Sequence, residues 1–305
     1  MKTALSIFFL LSSLLALAQN KKVTMSTADS LFSAQRWNEA ISVYEGVLKT
    51  EAGTALSWNR LGFSYHNLSN YGKALGNYQK SLTLKPSPAL ETIIQSRMMR
   101  AYAVSNALDK SFASLDRALA LGYTNLSELD EHRELENLRK DSRFKDYRQR
   151  AYINAYPCMG NAQARQFDFW VGEWDAYVTG TNNLAGRSKI EMASGGCMIL
   201  ENWTSVGGPY SGKSMNFVDP GSGKWKQVWV GSNGLNVSEF TNGEYREDAM
   251  RFECEMTNPQ GVKSLVHFYF FNQGPDQVRQ FHETSSDGGK TWVTTYDFTY
   301  KRKKA

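Results

Sequence analysis

Three cysteines and four histidines in 305 residues leave little material for a metal centre. Cys158, Cys197 and Cys254 match no zinc spacing, and no His–Cys cluster accompanies them; a metal site is not expected. The odd cysteine count leaves one thiol unpaired in an oxidising compartment. Concentrated charge of one sign is also missing. The net charge of +5 is spread along the chain, and only the tail Lys301, Arg302, Lys303 and Lys304 forms a like-charged block. A nucleic-acid binder wants a concentrated basic stripe, so no nucleic-acid partner is expected. Beyond the N-terminus no apolar run is long enough to span a bilayer, and no membrane insertion is expected. The chain has no Gly-x-Ser-x-Gly elbow and no Ser–His–Asp order in a recognisable context.

The one long apolar run is at the start, MKTALSIFFLLSSLLALAQ. Lys2 gives the positive start, Ala4 to Leu17 the apolar stretch, and Ala16-Leu17-Ala18 the cleavage site before Gln19. Residues 1–18 therefore read as a secretory signal peptide. No cysteine follows the cleavage point, which argues against a bacterial lipid anchor. The expected location is periplasmic or secreted.

The length suits two domains at roughly 100 to 200 residues each. Residues 25–150 carry helical periodicity. In ALSWNRLGFSYHNLSNYGKALGNYQKSLTLKP, Trp58, Leu61 and Tyr65 share one helical face. Gly62 and Ala74 are small enough for two helices to approach closely, and Pro86 lacks the donor needed to continue the second helix. Together with Tyr78, these positions resemble a tetratricopeptide repeat, whose period is about 34 residues. Fainter copies flank it. Leu31, Phe32, Ala40 and Tyr44 fit before it; Tyr102, Phe112, Leu115 and Ala118 fit after it, with Ser111 where Ala is usual. The charged stretch with Leu135, Leu138, Phe144 and Tyr147 reads as a cap. The resemblance implies a groove for an unidentified protein or peptide, with Asn59 facing it.

After Arg150 the pattern changes. Residues 151–166, with Pro157 and Gly160, read as a linker. From 167 to 305, short alternating runs are separated by NNLAG, DPGSGK, GSNG, TNGE, NPQG, FNQGPD and SSDGGK. Strands are predicted near 172–180, 186–193, 197–205, 211–219, 224–231, 235–241, 249–256, 262–271, 277–285 and 291–301. About ten antiparallel strands without a crossover helix suit a closed up-and-down barrel. The expected fold class is α + β multidomain: an all-α tetratricopeptide-type stack, then a calycin-like β-barrel.

QFDFWVGEWDAY, residues 166–177, sits at the barrel's entry. Gly172-Glu173-Trp174 at the head of the first strand resembles the lipocalin, or calycin, signature. That resemblance implies Trp174 packed across the closed end with Arg302 over its ring. Phe167 and Phe169 join the plug, and Trp170 is placed at the rim. The ordered segments FDFWVGEWD, GCMILENW, GKSMNFVD, KWKQVWV, VRQFHETSSDGGKTW and DFTYKRK resemble a bacterial domain-of-unknown-function family with a lipocalin-like barrel, over Phe167 to Lys303. The family brings no established activity. It implies a Cys158–Cys197 disulfide with Cys254 free.

Alternation assigns the polar residues to faces. Trp225, Gln227 and Trp229 share the inward face of their strand. Ser214 and Asn216 oppose Met215 and Phe217. Ile199, Glu201 and Trp203 lie on one face. Arg279, Phe281 and Glu283 oppose Gln280 and His282; in these last three strands the inward set is left open. A polar-aromatic cavity is expected from Glu201, Trp203, Asn216, Gln227 and Trp229 with Arg279 or Gln280, and with Glu283 as a further candidate; the alternative is a barrel filled by its own side chains. Ser285-x-Asp287-x-Gly289-x-Thr291-Trp292 matches an Asp-box, read as a turn device. N-x-S/T sequons stand at Asn67, Asn125, Asn202 and Asn236.

The functional expectation is an exported, non-catalytic binding or scaffold protein. Its repeats would contact protein, and its barrel would take a small, partly polar ligand, with no cofactor. One alternative is a hydrolase of glycans or lipids using Glu201 and Glu283 as acid and base, with Asp297 a further carboxylate. Another is a haem-binding, nitrobindin-like barrel ligated through His267 or His282.

Overall fold

A computed structural model describes residues 24–234, 237–258 and 261–303. The expected signal peptide and the sequon at Asn236 lie outside the described residues. The chain divides into two compact units. One holds the chain up to Tyr123 together with Ser127–Tyr147; the other holds Thr124–Leu126 and everything from Arg148.

The first unit is helical. Helices α1 (Met25–Ser33) and α2 (Trp37–Val47), α3 (Ala55–Asn67) and α4 (Tyr71–Thr83), and α5 (Pro88–Val104) and α6 (Leu108–Ala120) pack as successive pairs. Side-chain caps start several of them. Thr54 accepts from the Ser57 amide at 3.1 Å, and Ser87 accepts from Leu90 at 3.4 Å ahead of Pro88. Each such cap is worth about 1 kcal/mol. The same turn closes every pair. Gln35, Ser69 and Asn106 adopt positive φ. The next amide in each turn reaches back to Leu31, Tyr65 or Tyr102 at 2.9–3.0 Å. Gly62 matters at the α3–α4 crossing, because a Cβ there would stand 2.8 Å from the Tyr78 ring. Ser111 is buried with its hydroxyl satisfied by the Met99 carbonyl at 2.8 Å. Asn59 does not present a free amide to a groove: it is buried and accepts from Arg97 at 3.0 Å.

The stack ends in short pieces. These are α7 (Leu126–Glu131), a 3-10 turn (Arg133–Leu135), α8 (Glu136–Arg139) and α9 (Phe144–Ala155). Leu129, Leu135 and Leu138 are fully buried. Glu134 accepts from Tyr71 at 3.0 Å and pairs with His66 at 3.0 Å.

Residues 151–166, expected as a linker, carry local structure. Helix α9 runs into them, and 3-10 turns follow at Pro157–Gly160 and Gln163–Arg165, with another at Asp168–Trp170. Cys158 is disulfide-bonded to Cys197. Pro157 and Gly160 are loop residues by composition, but the crosslink and the buried Ala164 fix the path.

The second unit is a closed antiparallel barrel of ten strands. They are β1 (Gly172–Val178), β2 (Leu184–Ala193), β3 (Met198–Ser205), β4 (Ser211–Val218), β5 (Trp225–Gly231), β6 (Val237–Arg246), β7 (Ala249–Thr257), β8 (Lys263–Asn272), β9 (Gln277–Ser285) and β10 (Val293–Arg302). Each pairs with its sequence neighbour, and β1 pairs with β10 to close the ring. The TNGE segment predicted as a turn lies inside β6. Asn242 takes positive φ there, and the β5–β6 register slips between Trp225 and Gln227. Asn-Gly thus makes a bulge, which needs the same backbone freedom as a turn. The actual β6–β7 turn is Glu247-Asp248, both at positive φ, the primed geometry that matches strand twist.

Candidate functional site

The barrel has a filled end and an open end. At the filled end Trp174 is fully buried and donates from Nε1 to the Trp170 carbonyl at 2.8 Å. Trp170 is itself fully buried, not at the rim, and stacks on Phe167 with centroids 5.1 Å apart. The chain folds back over the barrel base here, which puts all three rings into the core. The Arg302 guanidinium lies 4.2 Å from the Trp174 ring centre and donates to the carbonyls of Val171 at 3.1 Å and Pro275 at 2.6 Å. Gly172, at φ +146°, has no side chain because the Arg302 guanidinium occupies the space a Cβ would take.

Toward the other end the interior opens into a cavity of about 840 Å³. Its lining includes Glu201, Trp203, Gln227, Trp229 and Gln280, all among the candidates for the cavity. Strand β3 turns Ile199, Glu201 and Trp203 inward, stepping from the base toward the mouth. Asn216 is fully buried beside this floor and braces Gln227.

The floor is a directed hydrogen-bond chain. Gln227 Nε2 donates to Asn216 Oδ1 at 2.6 Å. Asn216 Nδ2 donates to Ser214 Oγ at 3.0 Å and to the Ile199 carbonyl at 3.1 Å. Ser214 donates to Glu201 Oε2, and Ser188 to Glu201 Oε1, each at 2.9 Å. Glu201 is only 2% exposed. Burial pushes its carboxyl up to about 7, although the hydroxyls of Ser188, Ser214 and Tyr300 pull the other way. The Tyr300 hydroxyl donates its proton to Gln280 Oε1 at 3.1 Å.

The walls are aromatic. Trp203 stacks with Phe298 at 5.8 Å, Phe298 with Tyr296 at 5.2 Å, and Tyr296 with His282 at 4.9 Å. Burial lowers the His282 pKa to about 4, so this imidazole is neutral at physiological pH, and its buried Nδ1 has no partner among the described residues. Two glycines make room for the indoles. A Cβ at Gly186 or Gly212 would overlap the six-membered ring of Trp203 or Trp229 respectively.

A scan against protein-family models finds no match, and no curated protein matches the chain significantly.

The remaining candidates face outward. Arg279 makes a two-point ion pair with Asp297 at 2.9 and 2.7 Å. Glu283 pairs with His267 at 2.9 Å, and His267 lies flat on Trp292 with centroids 3.7 Å apart. The alternation in β9 sends Val278, Gln280 and His282 inward, so Arg279 and Glu283 do not line the cavity. Glu201 and Glu283 are therefore on opposite sides of the barrel wall, and no acid–base pair forms between them. Sequence reasoning missed Tyr296, Phe298 and Tyr300 as lining residues. Their signal was present in YDFTY, whose alternation against Asp297 matches a strand with one wet face. The Asp-box is a turn: Asp287 accepts from Ser285 Oγ at 2.8 Å and from the Lys290 and Thr291 amides at 3.0 Å. Among the described residues no group of three or more His, Cys, Asp or Glu is placed to hold a metal, and no helix is long and apolar enough to cross a membrane.

Proposed function

We propose that the chain is an exported binding protein whose calycin-like barrel takes a small, partly polar molecule and whose helical unit is a tetratricopeptide-type stack for protein contact. The observation that carries the ligand reading is the cavity of about 840 Å³, aromatic on its walls and polar on its floor. Volumes of roughly 300 to 1,000 Å³ lined this way are usual for small-molecule sites. Export is supported by the signal-peptide pattern and by the Cys158–Cys197 disulfide. The repeat reading is supported by the identical closing turns of the helix pairs and the Gly62–Tyr78 approach. Arg97 over Phe63 at 3.8 Å and Arg60 over Phe32 at 5.5 Å add basic-aromatic character to α1, α3 and α5.

The test is native mass spectrometry of the full chain purified from its own host, followed by titration with the released molecule while indole fluorescence is followed. Trp203 and Trp229 line the cavity, so occupancy changes their emission. A retained small molecule that perturbs this signal supports the reading. A chain that carries none, and whose fluorescence responds to no compound in a broad panel, removes it.

A further inference from the structure

The floor of the cavity holds a carboxylate without a counter-charge. No salt bridge among the described residues includes Glu201, and the described lining contains no lysine or arginine. The donors around it all point one way. The chain Gln227 to Asn216 to Ser214 delivers a proton donor to Oε2, and Ser188 delivers another to Oε1. Such a chain polarises cooperatively toward an acceptor at its end. An ionised carboxylate accepts about four hydrogen bonds. Ser188 and Ser214 supply fewer, so acceptor capacity is left for an occupant. Above it, the stacked rings of Trp203, Phe298 and Tyr296 line the cavity as an aromatic wall for the body of a ligand.

We infer that the ligand is an organic cation: an ammonium group held at Glu201, carried on an aromatic or apolar body that packs against Trp203, Phe298 and Tyr296. This rests on the cavity being a binding site. It runs against the carboxylate ligands that a basic barrel would take, because an anion here would meet Glu201 with no cation to offset it. Binding is a proton exchange near neutrality: the ammonium enters, and the fraction of Glu201 still protonated releases its proton to solvent. The other groups facing Glu201 are the hydroxyls of Ser188 on β2, Ser214 on β4 and Tyr296 and Tyr300 on β10. None of these carries a charge near pH 7. His282, further along the lining from β9, is likewise neutral there.

Three probes of one shape decide the matter: 2-phenylethylamine, 2-phenylethanol and phenylacetate, titrated calorimetrically into the full chain. At about pH 8 and about 0.15 M salt, the amine is expected to bind at least about tenfold tighter than the alcohol, and phenylacetate more weakly than either. Titrations in two buffers of different ionisation enthalpy should show proton release that grows as pH is lowered from about 8 to about 6. Glu201→Gln should cut the amine-over-alcohol preference to below about threefold. If that variant does not fold, the ranking of the three probes on the unaltered chain still decides. Alcohol or phenylacetate binding as tightly as the amine overturns the cation assignment and leaves the cavity reading standing. A folded barrel that binds none of the three overturns the cation assignment and leaves the cavity reading to its own test.

Discussion

The guanidinium of Arg302, at the end of the last barrel strand, lies 4.2 Å from the centre of the Trp174 indole, near the start of the first. The two residues are also direct register partners in the β1–β10 pairing. Their contact joins the two ends of the sheet. Replacing Arg302 with Met should keep the apolar stem and lose the cation and its two carbonyl bonds. The expected cost is about 1–3 kcal/mol, read as a lower urea midpoint with unchanged slope. Gly172→Ala should cost more than that, because it adds both a strained φ and an overlap with the guanidinium.

Glu201 makes stability depend on pH in a stated direction. Its folded pKa of about 7 lies above its ordinary value of 4.5. The folded state therefore holds a proton that the unfolded chain has lost, and stability falls as pH rises from about 4.5 to about 7. Above that window the full penalty, of order 3 kcal/mol, persists. Glu201→Gln should remove this slope. Variant and parent, melted side by side from pH 4.5 to 8, should diverge in favour of the variant as pH rises. His282 works in the opposite sense, since its lowered pKa makes it lose stability as pH falls from 6.5 toward about 4. That effect is common to both chains and cancels in the comparison. A difference that does not grow with pH would count against the buried, raised carboxyl.

Much of this architecture was readable before any coordinates. Strict alternation in KWKQVWV sets Gln227 inward, because the lysine beside it needs solvent; CMILENW carries no such marker, and its alternation groups Ile199, Glu201 and Trp203 without saying which way they face. The β9 strand did not yield in the same way. Arg279, Phe281 and Glu283 alternate with Gln280 and His282, and both sets mix polar with aromatic character. Only the outward partners Asp297 and His267, on neighbouring strands, settle which set is dry. Pairing between strands is not written in one strand's own pattern. The bulge at Asn242 was misread for a related reason: Asn-Gly supplies left-handed backbone to turns and bulges alike. The plug was partly legible, but the burial of Trp170 depends on a 3-10 fold-back that no periodicity announces.

Cys158 and Cys197 give a prediction that needs no ligand. Under denaturing, non-reducing conditions the chain should show one reactive thiol, Cys254, and under native conditions none, because Cys254 is free but buried. Paired Cys→Ser substitution at 158 and 197 should lower stability by about 3–4 kcal/mol in the loop-entropy account. Thiol counting by a chromogenic reagent, with and without denaturant, checks the first statement, and urea titration checks the second.

Glu134 is the hub of the helical unit's cap. Burial alone would raise its pKa, but the bonds from His66 and Tyr71 and the charge of Arg100 bring it down to about 2. Its contribution is present above about 4.5 and is lost as pH falls toward 2. Glu134→Gln should therefore destabilise the helical unit by about 2 kcal/mol at neutral pH, after allowance for partial screening. The gap should narrow between pH 4.5 and pH 2, as followed by helical circular dichroism during melting. An equal gap at both ends of that range would sink the assignment.

Because the first strand of the barrel finds its second partner only in the last, the ring cannot shut while the chain is still emerging. Until Arg302 is available, β1 and β9 are both open margins, each offering unpaired backbone to other nascent molecules. Completion thus waits on one long-range encounter, the slowest kind of contact to form. Truncation of even the final strand would leave a curled sheet with two sticky borders instead of a slightly shorter tube.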